Sequence, residues 1–241
     1  MLRTPIPIRG LVVALFGVAL ALPPVALADN GNGGASAPAP GASAPFDPSF
    51  ALNARSGVFL GKVLRIAGTA TNAAGKTIQV QARKGAGAWL AVASVPADAS
   101  GNFAASWRPP DAGQYQLRGV VAPGAAQASG AGSASAARTV TVYKVAKATW
   151  YGPGFYGKKT ACGIRLTRSL VGVANRRLPC GTQVAIAYRN HTLTAPVVDR
   201  GPFAHGASWD LTAAAAKQLG MTVTSRIGAA PLDISLQPPG L

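Results

Sequence analysis

The sequence predicts a mainly β protein in two parts, a sandwich of short strands followed by a small fold that carries the chemistry. Three observations lead there. Between Asp47 and Lys144 apolar and polar residues alternate with a period of two, broken by turn residues at short intervals. The 241 residues include 29 Gly and 19 Pro but only 12% charged side chains, which excludes a coiled coil and a charge-rich disordered chain. Both histidines, both cysteines and three of the seven acids fall after Lys144.

Residues 1–28 read as a secretory signal peptide: Arg3 and Arg9, an apolar run from Leu11 to Leu22, Pro23-Pro24, then the small-residue site Ala26-Leu27-Ala28. The run is about 12 residues, short of the roughly 20 that span a bilayer, so cleavage is expected rather than anchoring. No Cys follows that site, so lipid attachment is not expected, and no later segment reads as a membrane span. Between Asp29 and Phe46 the residues are Asn, Gly, Ala, Ser and Pro with almost nothing to bury, and 29–46 read as a flexible linker.

Residues 47–144 carry the alternation. In Thr77 to Arg83, Ile78, Val80 and Ala82 face in while Gln79, Gln81 and Arg83 face out. Further strands are expected at Trp89 to Val95, Asn102 to Arg108, Gln114 to Val120 and Arg138 to Tyr143, with turns at Ala74-Gly75, Ser100-Gly101 and Pro109-Pro110. Short strands at this interval suggest a β-sandwich, and Asp111-Ala-Gly-Gln-Tyr115 resembles the tyrosine corner of immunoglobulin-like domains, whose phenol bonds to the upstream backbone. Gly119 to Ala137, rich in Ala, Gly and Ser, reads as a long mobile loop. This region has no His or Cys, and Asp47, Asp98 and Asp111 sit at turns, so it is read as a spacer or a wall-binding module.

The 23 Lys and Arg against 7 acids give a net charge of +16, and every acid is an aspartate. A catalytic glutamate is therefore excluded. An exported, strongly basic protein points to an anionic partner, a cell wall bearing carboxylates or phosphates, although the charge also serves solubility. Nucleic acid is not expected, because no basic and aromatic residues interleave in a binding motif.

From residue 145 the chain holds the candidate chemistry. Cys162 and Cys180 lie 18 apart in an exported chain, so a disulfide is expected. The alternative, a metal site of Cys162, Cys180, His191 and His205, lacks the Cys-x-x-Cys and His-x-x-x-His spacings, and no metal is expected. Ser208 lies near His205, Asp199 and Asp210, but the Gly-x-Ser-x-Gly elbow of a serine hydrolase is absent. An alternating run from Leu193 to Val198 reads as a strand that delivers Asp199, and Arg200-Gly201-Pro202-Phe203 turns the chain. A loop with His205 leads to Trp209-Asp210-Leu211, after which Thr212 caps a helix through Ala213 to Leu219, closed by Gly220.

Two aspartates at the rim, one on each side of a loop, suit general-acid chemistry on a glycosidic oxygen. This requires that burial near Trp209, or the neighbouring charge, raise one carboxyl's pKa. The alternative is structural: Asp199 bonding turn amides and Asp210 favouring the positive end of the helix. Upstream, Trp150, Tyr151, Phe155 and Tyr156 lie among glycines as sugar-stacking candidates. At least one of Trp150 and Phe155 is expected in the core, leaving Tyr151 and Tyr156 for a groove.

Five motifs, Ala148-Thr-Trp-Tyr-Gly-Pro-Gly-Phe-Tyr-Gly157, Thr160-Ala161, Arg177-Leu-Pro-Cys-Gly-Thr-Gln-Val184, Val198-Asp-Arg-Gly-Pro-Phe203 and Trp209-Asp-Leu-Thr-Ala-Ala-Ala-Ala216, carry a family resemblance. In their order and spacing residues 145–241 resemble the double-psi β-barrel domain of the rare lipoprotein A family of septal ring lytic transglycosylases, related to expansins and family 45 endoglucanases. The resemblance implies a six-stranded barrel with a short helix and a groove that binds peptidoglycan or another anionic wall polysaccharide. It places Asp210 as general acid and base, with Asp199 positioning substrate or modulating Asp210 and His205 in the loop between them. Tyr151, Tyr156, Arg200 and Trp209 are the candidate substrate contacts. No cofactor is implied, a monomer outside the cytoplasmic membrane is expected, and a non-catalytic, expansin-like wall-loosening module is the alternative.

Overall fold

The computed structural model describes residues 44–122, 133–203 and 206–233. The expected signal peptide, most of the linker, the middle of the Gly119–Ala137 segment and His205 lie outside the described residues.

The first part is a sandwich of two sheets. One is three-stranded, β1 (Phe50–Ala54), β3 (Leu64–Ala70) and β6 (Asn102–Trp107), in the order β1-β3-β6. The other contains β2 (Gly57–Phe59), β4 (Thr77–Lys84), β5 (Leu90–Pro96), β7 (Gly113–Val121) and β8 (Arg138–Tyr151), with β8-β7-β4-β5 antiparallel and β2 parallel to β8. Inward residues of both sheets build one core: Leu64, Ile66 and Phe103 from the first, Ile78, Val80, Leu117, Val140 and Val142 from the second. Trp107 of the first sheet meets Tyr115 of the second at 5.1 Å between ring centroids, and Phe50 meets Phe103 within the first sheet at 5.8 Å. Such edge-to-face pairs add to the area they bury.

The five expected strands coincide with β4 to β8, with ends that differ by a residue or two except at β8, which runs on to Tyr151. The alternation in β4 is as read, with Ile78, Val80 and Ala82 buried. Strand β3 also alternates, but its inward position 68 is a glycine. The backbone there lies so close to its neighbours that a Cβ would sit 2.3 Å from the Phe103 ring and 2.4 Å from the Ala51 carbonyl. A side chain is thus excluded at one of the positions where periodicity would have shown it.

Two expectations are corrected. The Tyr115 hydroxyl donates to the Asp111 side-chain carboxylate rather than to upstream backbone, and Lys84 Nζ reaches the same oxygen at 2.6 Å. The loop expected from Gly119 is a strand at its start and paired at its return: Gly119 to Val121 belong to β7, Ser135 N–H donates to Gly119 O at 2.9 Å, and Gly119 N–H donates to Ser135 Oγ at 2.9 Å.

The second part is a barrel. Its strands are the second half of β8, β9 (Val173–Ala174), β10 (Gln183–Tyr188), β11 (His191–Asp199), β12 (Trp209–Thr212) and β13 (Ser225–Pro231). They run β12-β9-β11-β10-β13-β8, and β12 also pairs β8, which closes a ring of six. Closure leaves no edge strand to template aggregation. Val173, Val184, Ile186, Ala195, Val197, Leu211 and Leu219, all fully buried, fill the interior.

Helix α1 (Ala213–Gln218) follows β12. Thr212 caps it as expected, accepting from Ala215 N–H at 3.3 Å, and its hydroxyl also accepts Gly172 N–H at 3.1 Å. At the other end Met221 N–H bonds Ala216 O and Gly220 N–H bonds Lys217 O, with Gly220 at φ +68. This is the Schellman pattern that a left-handed glycine permits.

Strand β8 joins the two parts without a break. It pairs β7 from Arg138 to Val142 and β13 from Lys144 to Ala148, and the expected boundary at 144/145 falls inside it. Beside the crossing, the Phe59 and Tyr143 rings lie 5.9 Å apart and meet Gly228, where a Cβ would be 2.8 Å from the Phe59 ring and 2.9 Å from the Tyr143 Cβ.

Candidate functional site

Strand register brings two of the three aspartates of the C-terminal part, Asp199 and Asp210, onto one face. Asp210 of β12 pairs Ala174 of β9 on one side and Thr149 of β8 on the other, and Ala174 pairs Asp199 at the end of β11. Directly paired residues point to the same face of a sheet. Thr149, Asp210, Ala174 and Asp199 therefore form one row across four strands. Two strand spacings, roughly 9–10 Å, separate the Cα atoms of the acids, with only an alanine methyl between them. The row floors a groove of about 460 Å³, lined also by Tyr151, Phe155, Lys158, Lys159, Thr160, Leu166 and the Arg200–Phe203 turn.

The two carboxylates are held differently. Asp199 Oδ1 accepts the Ala161 and Arg200 backbone amides, both at 2.8 Å. Asp210 Oδ1 accepts one hydrogen bond, from Thr149 Oγ1 at 2.8 Å. Half-buried, Asp210 has its pKa raised, first by desolvation; the Thr149 hydroxyl opposes the shift and the Asp199 charge adds to it. Among the described residues no lysine or arginine forms an ion pair with either acid.

Tyr151 stands two residues beyond Thr149 on the same face of β8. Burial, then the charge and hydrogen-bonding reach of Asp199, then the Asp210 charge, push its phenol pKa up, so it keeps its proton. Its oxygen is buried and faces the Asp199 carboxylate, the one acceptor in reach among the described residues, beyond close hydrogen-bond geometry. A buried donor of this kind is costly unless something enters the groove to accept from it.

The expected disulfide is present between Cys162 and Cys180. It ties the Thr160–Gly163 turn, whose Ala161 amide binds Asp199, to the Cys180–Gly181 turn, whose Gly181 N–H bonds Val197 O at 2.8 Å. Arg200 braces the same corner, donating to Asn175 O at 3.1 Å and Cys180 Sγ at 3.2 Å. Sulfurs bonded to each other are not thiolate ligands, so the zinc alternative with Cys162, Cys180, His191 and His205 has lost two of its donors.

The structure brings Asp199, Asp210, Tyr151 and Arg200 together at one groove and separates others from it. Trp209 is 7% exposed and belongs to the barrel core, because the neighbours of Asp210 on β12 face inward. Its expected role as a substrate contact is corrected accordingly. Tyr156 does not line the groove; it stacks under the Arg168 guanidinium at 5.0 Å, while Phe155 takes the groove position. Neither Trp150 nor Phe155 is core, at 39% and 53% exposed, although Trp150 is tethered by its indole N–H to Thr222 O at 3.2 Å. Phe203, 80% exposed, Lys158, Lys159 and Thr149 are groove residues that the sequence reading did not single out. Phe203 carried a signal in its place directly after the turn that follows Asp199.

Residues 143–234, the part that holds this row, match the family described as lytic transglycolase. The C-terminal part of the chain is an RlpA-like double-psi β-barrel domain. A probable endolytic peptidoglycan transglycosylase RlpA of Synechocystis is 39% identical over 117 residues, covering 48% of this chain and 36% of that protein. A second, from Aquifex aeolicus, is 46% identical over 76 residues, covering 31% and 34%. The chain thus spans about a third of the length of these curated relatives, and the likeness lies in the RlpA-like domain. Among solved structures, the Streptomyces papain inhibitor (SPI) aligns with a TM-score of 0.30 at 28% identity, covering 36% of this chain and 92% of that one.

Proposed function

We propose that the groove of the RlpA-like domain binds a peptidoglycan glycan strand and cuts it by lytic transglycosylation, with Asp210 transferring the proton. The observation that carries this reading is the unequal pair of acids: Asp210 accepts a single hydrogen bond and has a raised pKa, whereas one oxygen of Asp199 is occupied by two backbone amides. Environments that push two carboxyls apart mark an acid and a charge stabiliser. The relatives' description as endolytic peptidoglycan transglycosylases supports the substrate class.

In this reading protonated Asp210 gives its proton to the glycosidic oxygen, the bond from that oxygen to the anomeric carbon breaks, and the leaving sugar departs as an alcohol. The anomeric carbon becomes electron-deficient, and the Asp199 carboxylate lies across Ala174 to stabilise it. Asp210, now a carboxylate, takes the proton of the same sugar's 6-hydroxyl as that oxygen bonds the anomeric carbon. A 1,6-anhydro ring forms, no water is consumed, and the acid is regenerated. Phe155 and Phe203 offer stacking faces for the flanking sugars, Lys158 and Lys159 attract stem-peptide carboxylates, and the Tyr151 hydroxyl finds a closer acceptor in the substrate. The Cys162–Cys180 disulfide fits a site of action outside the cytoplasm.

The pH profile tests the acid. Because the first step needs Asp210 protonated, kcat/KM falls as pH rises through its raised pKa. Asp199→Asn removes a charge that raises that pKa, so the alkaline limb moves to lower pH; Thr149→Val removes the donor that lowers it, so the limb moves to higher pH. Shifts in the reverse directions, or none in either variant, count against Asp210 as the acid.

A further inference from the structure

The sheet that contains β4 and β7 turns one face away from the sandwich core. Its outward residues are Gln79, Gln81 and Arg83 on β4, and Gln114, Gln116 and Arg118 on β7. The register sets Gln81 opposite Arg118 and Gln116 opposite Arg83, a two-by-two block of amides and guanidiniums. Each arginine donates its Nε to the facing glutamine, Arg83 to Gln116 Oε1 at 2.7 Å and Arg118 to Gln81 Oε1 at 3.0 Å. Both guanidinium carbons also lie over the Trp89 ring, at 4.6 and 4.3 Å from its centroid.

The two cations are therefore held in place, half-buried, with their Nη atoms free of any acceptor among the described residues. No aspartate occurs on β4, β5 or β7, and Asp111, just before β7, is occupied by Lys84 and Tyr115. Arg118 has its pKa lowered, first by burial and then by the Arg83 charge. Among the described residues neither guanidinium forms an ion pair, so the two like charges repel, and an arriving oxyanion relieves that repulsion while meeting the Nη edges suited to bidentate contact. Gln114 Oε1, on the same face, is buried without a partner, and an acceptor of this kind needs a donor from the ligand. A carboxylated sugar polymer supplies both, carboxylates for the guanidiniums and hydroxyls for the amides. A nucleic acid fits less well, because the ring that would stack a base already carries the two guanidiniums.

We propose that this face is a second binding site, separate from the barrel groove, for a carboxylate-bearing polysaccharide gripped by Arg83 and Arg118. The test is affinity electrophoresis of the full chain through gels containing polygalacturonate, neutral dextran or polyphosphate at fixed salt. Wild type is expected to be retarded by polygalacturonate and not by dextran, and Arg83→Gln with Arg118→Gln to weaken this by about tenfold or more. Arg83→Lys with Arg118→Lys, which keeps the charge but loses the fork, is expected to weaken it severalfold, and decides the matter if the glutamine pair fails to fold. The charge-matched control Lys76→Gln with Lys217→Gln, at exposed positions, is expected to change it by less than about twofold. Unchanged retardation of the arginine variants, an equal loss in the control, or polyphosphate binding as tight as polygalacturonate overturns the proposal. Failure here leaves cutting at Asp210 untouched, since product formation is read separately.

Discussion

Asp210→Asn is expected to lower the rate of glycan cleavage by roughly 10²- to 10⁴-fold, the span that a positioned general acid contributes. Asparagine has nearly the same shape and can still accept from Thr149 Oγ1, so the row of Thr149, Ala174 and Asp199 stays in register. It has no carboxyl proton to give. Retention on purified peptidoglycan is expected to survive, because Phe155, Phe203, Lys158 and Lys159 remain in the groove. The check pairs release of soluble fragments with a wall pull-down. Cleavage at the wild-type rate excludes Asp210 as the acid. A wild type that binds and releases nothing identifies the groove as a holding site, the expansin-like alternative.

The second large effect concerns the corner that holds Asp199. Cys162→Ala with Cys180→Ala opens a cross-link between residues 18 apart, and is expected to cost roughly 3 kcal/mol of stability in the chain-entropy account. The same change releases the turn whose Ala161 amide binds Asp199 and removes the sulfur that Arg200 Nη2 contacts. Activity is therefore expected to fall more than stability alone requires, at temperatures where the variant is still folded. Urea melts with and without reductant, read beside cleavage rates, separate the two. Equal denaturation midpoints for wild type and variant contradict the stabilising role. A full rate in a folded variant contradicts the positioning role.

Much of this was legible in the sequence because the signals were local. The alternation of Ile78, Val80 and Ala82 set the inward face of β4, and Leu193 to Val198 announced a strand ending at Asp199. The Thr212 cap and Gly220 stop bracketed a helix that forms within a residue of its expected end. What escaped depends on long-range pairing. Ala174 separates the two acids only because a two-residue strand, too short for any periodic signal, slots between β11 and β12. Trp209 looked like a groove aromatic by its place next to Asp210, yet in a strand adjacent residues face opposite ways, and Trp209 lies on the buried face opposite to that of Asp210. Phe155 rather than Tyr156 lines the groove, and the Gly-rich loop that joins them to β8 has no period from which to read direction. The Arg83 and Arg118 block was invisible for the same reason, since its partners come together only through the β4–β7 register.

In the proposed mechanism a single half-buried acid, Asp210, rather than a pair of equal ones, does the chemistry in the groove. Mass spectrometry of fragments released from purified peptidoglycan, intact and stripped of stem peptides, beside Asp210→Asn, tests it most directly. Fragments ending in 1,6-anhydro sugars and absent from the variant are the predicted result. Reducing ends, which require an activated water and hence a second catalytic group, contradict it.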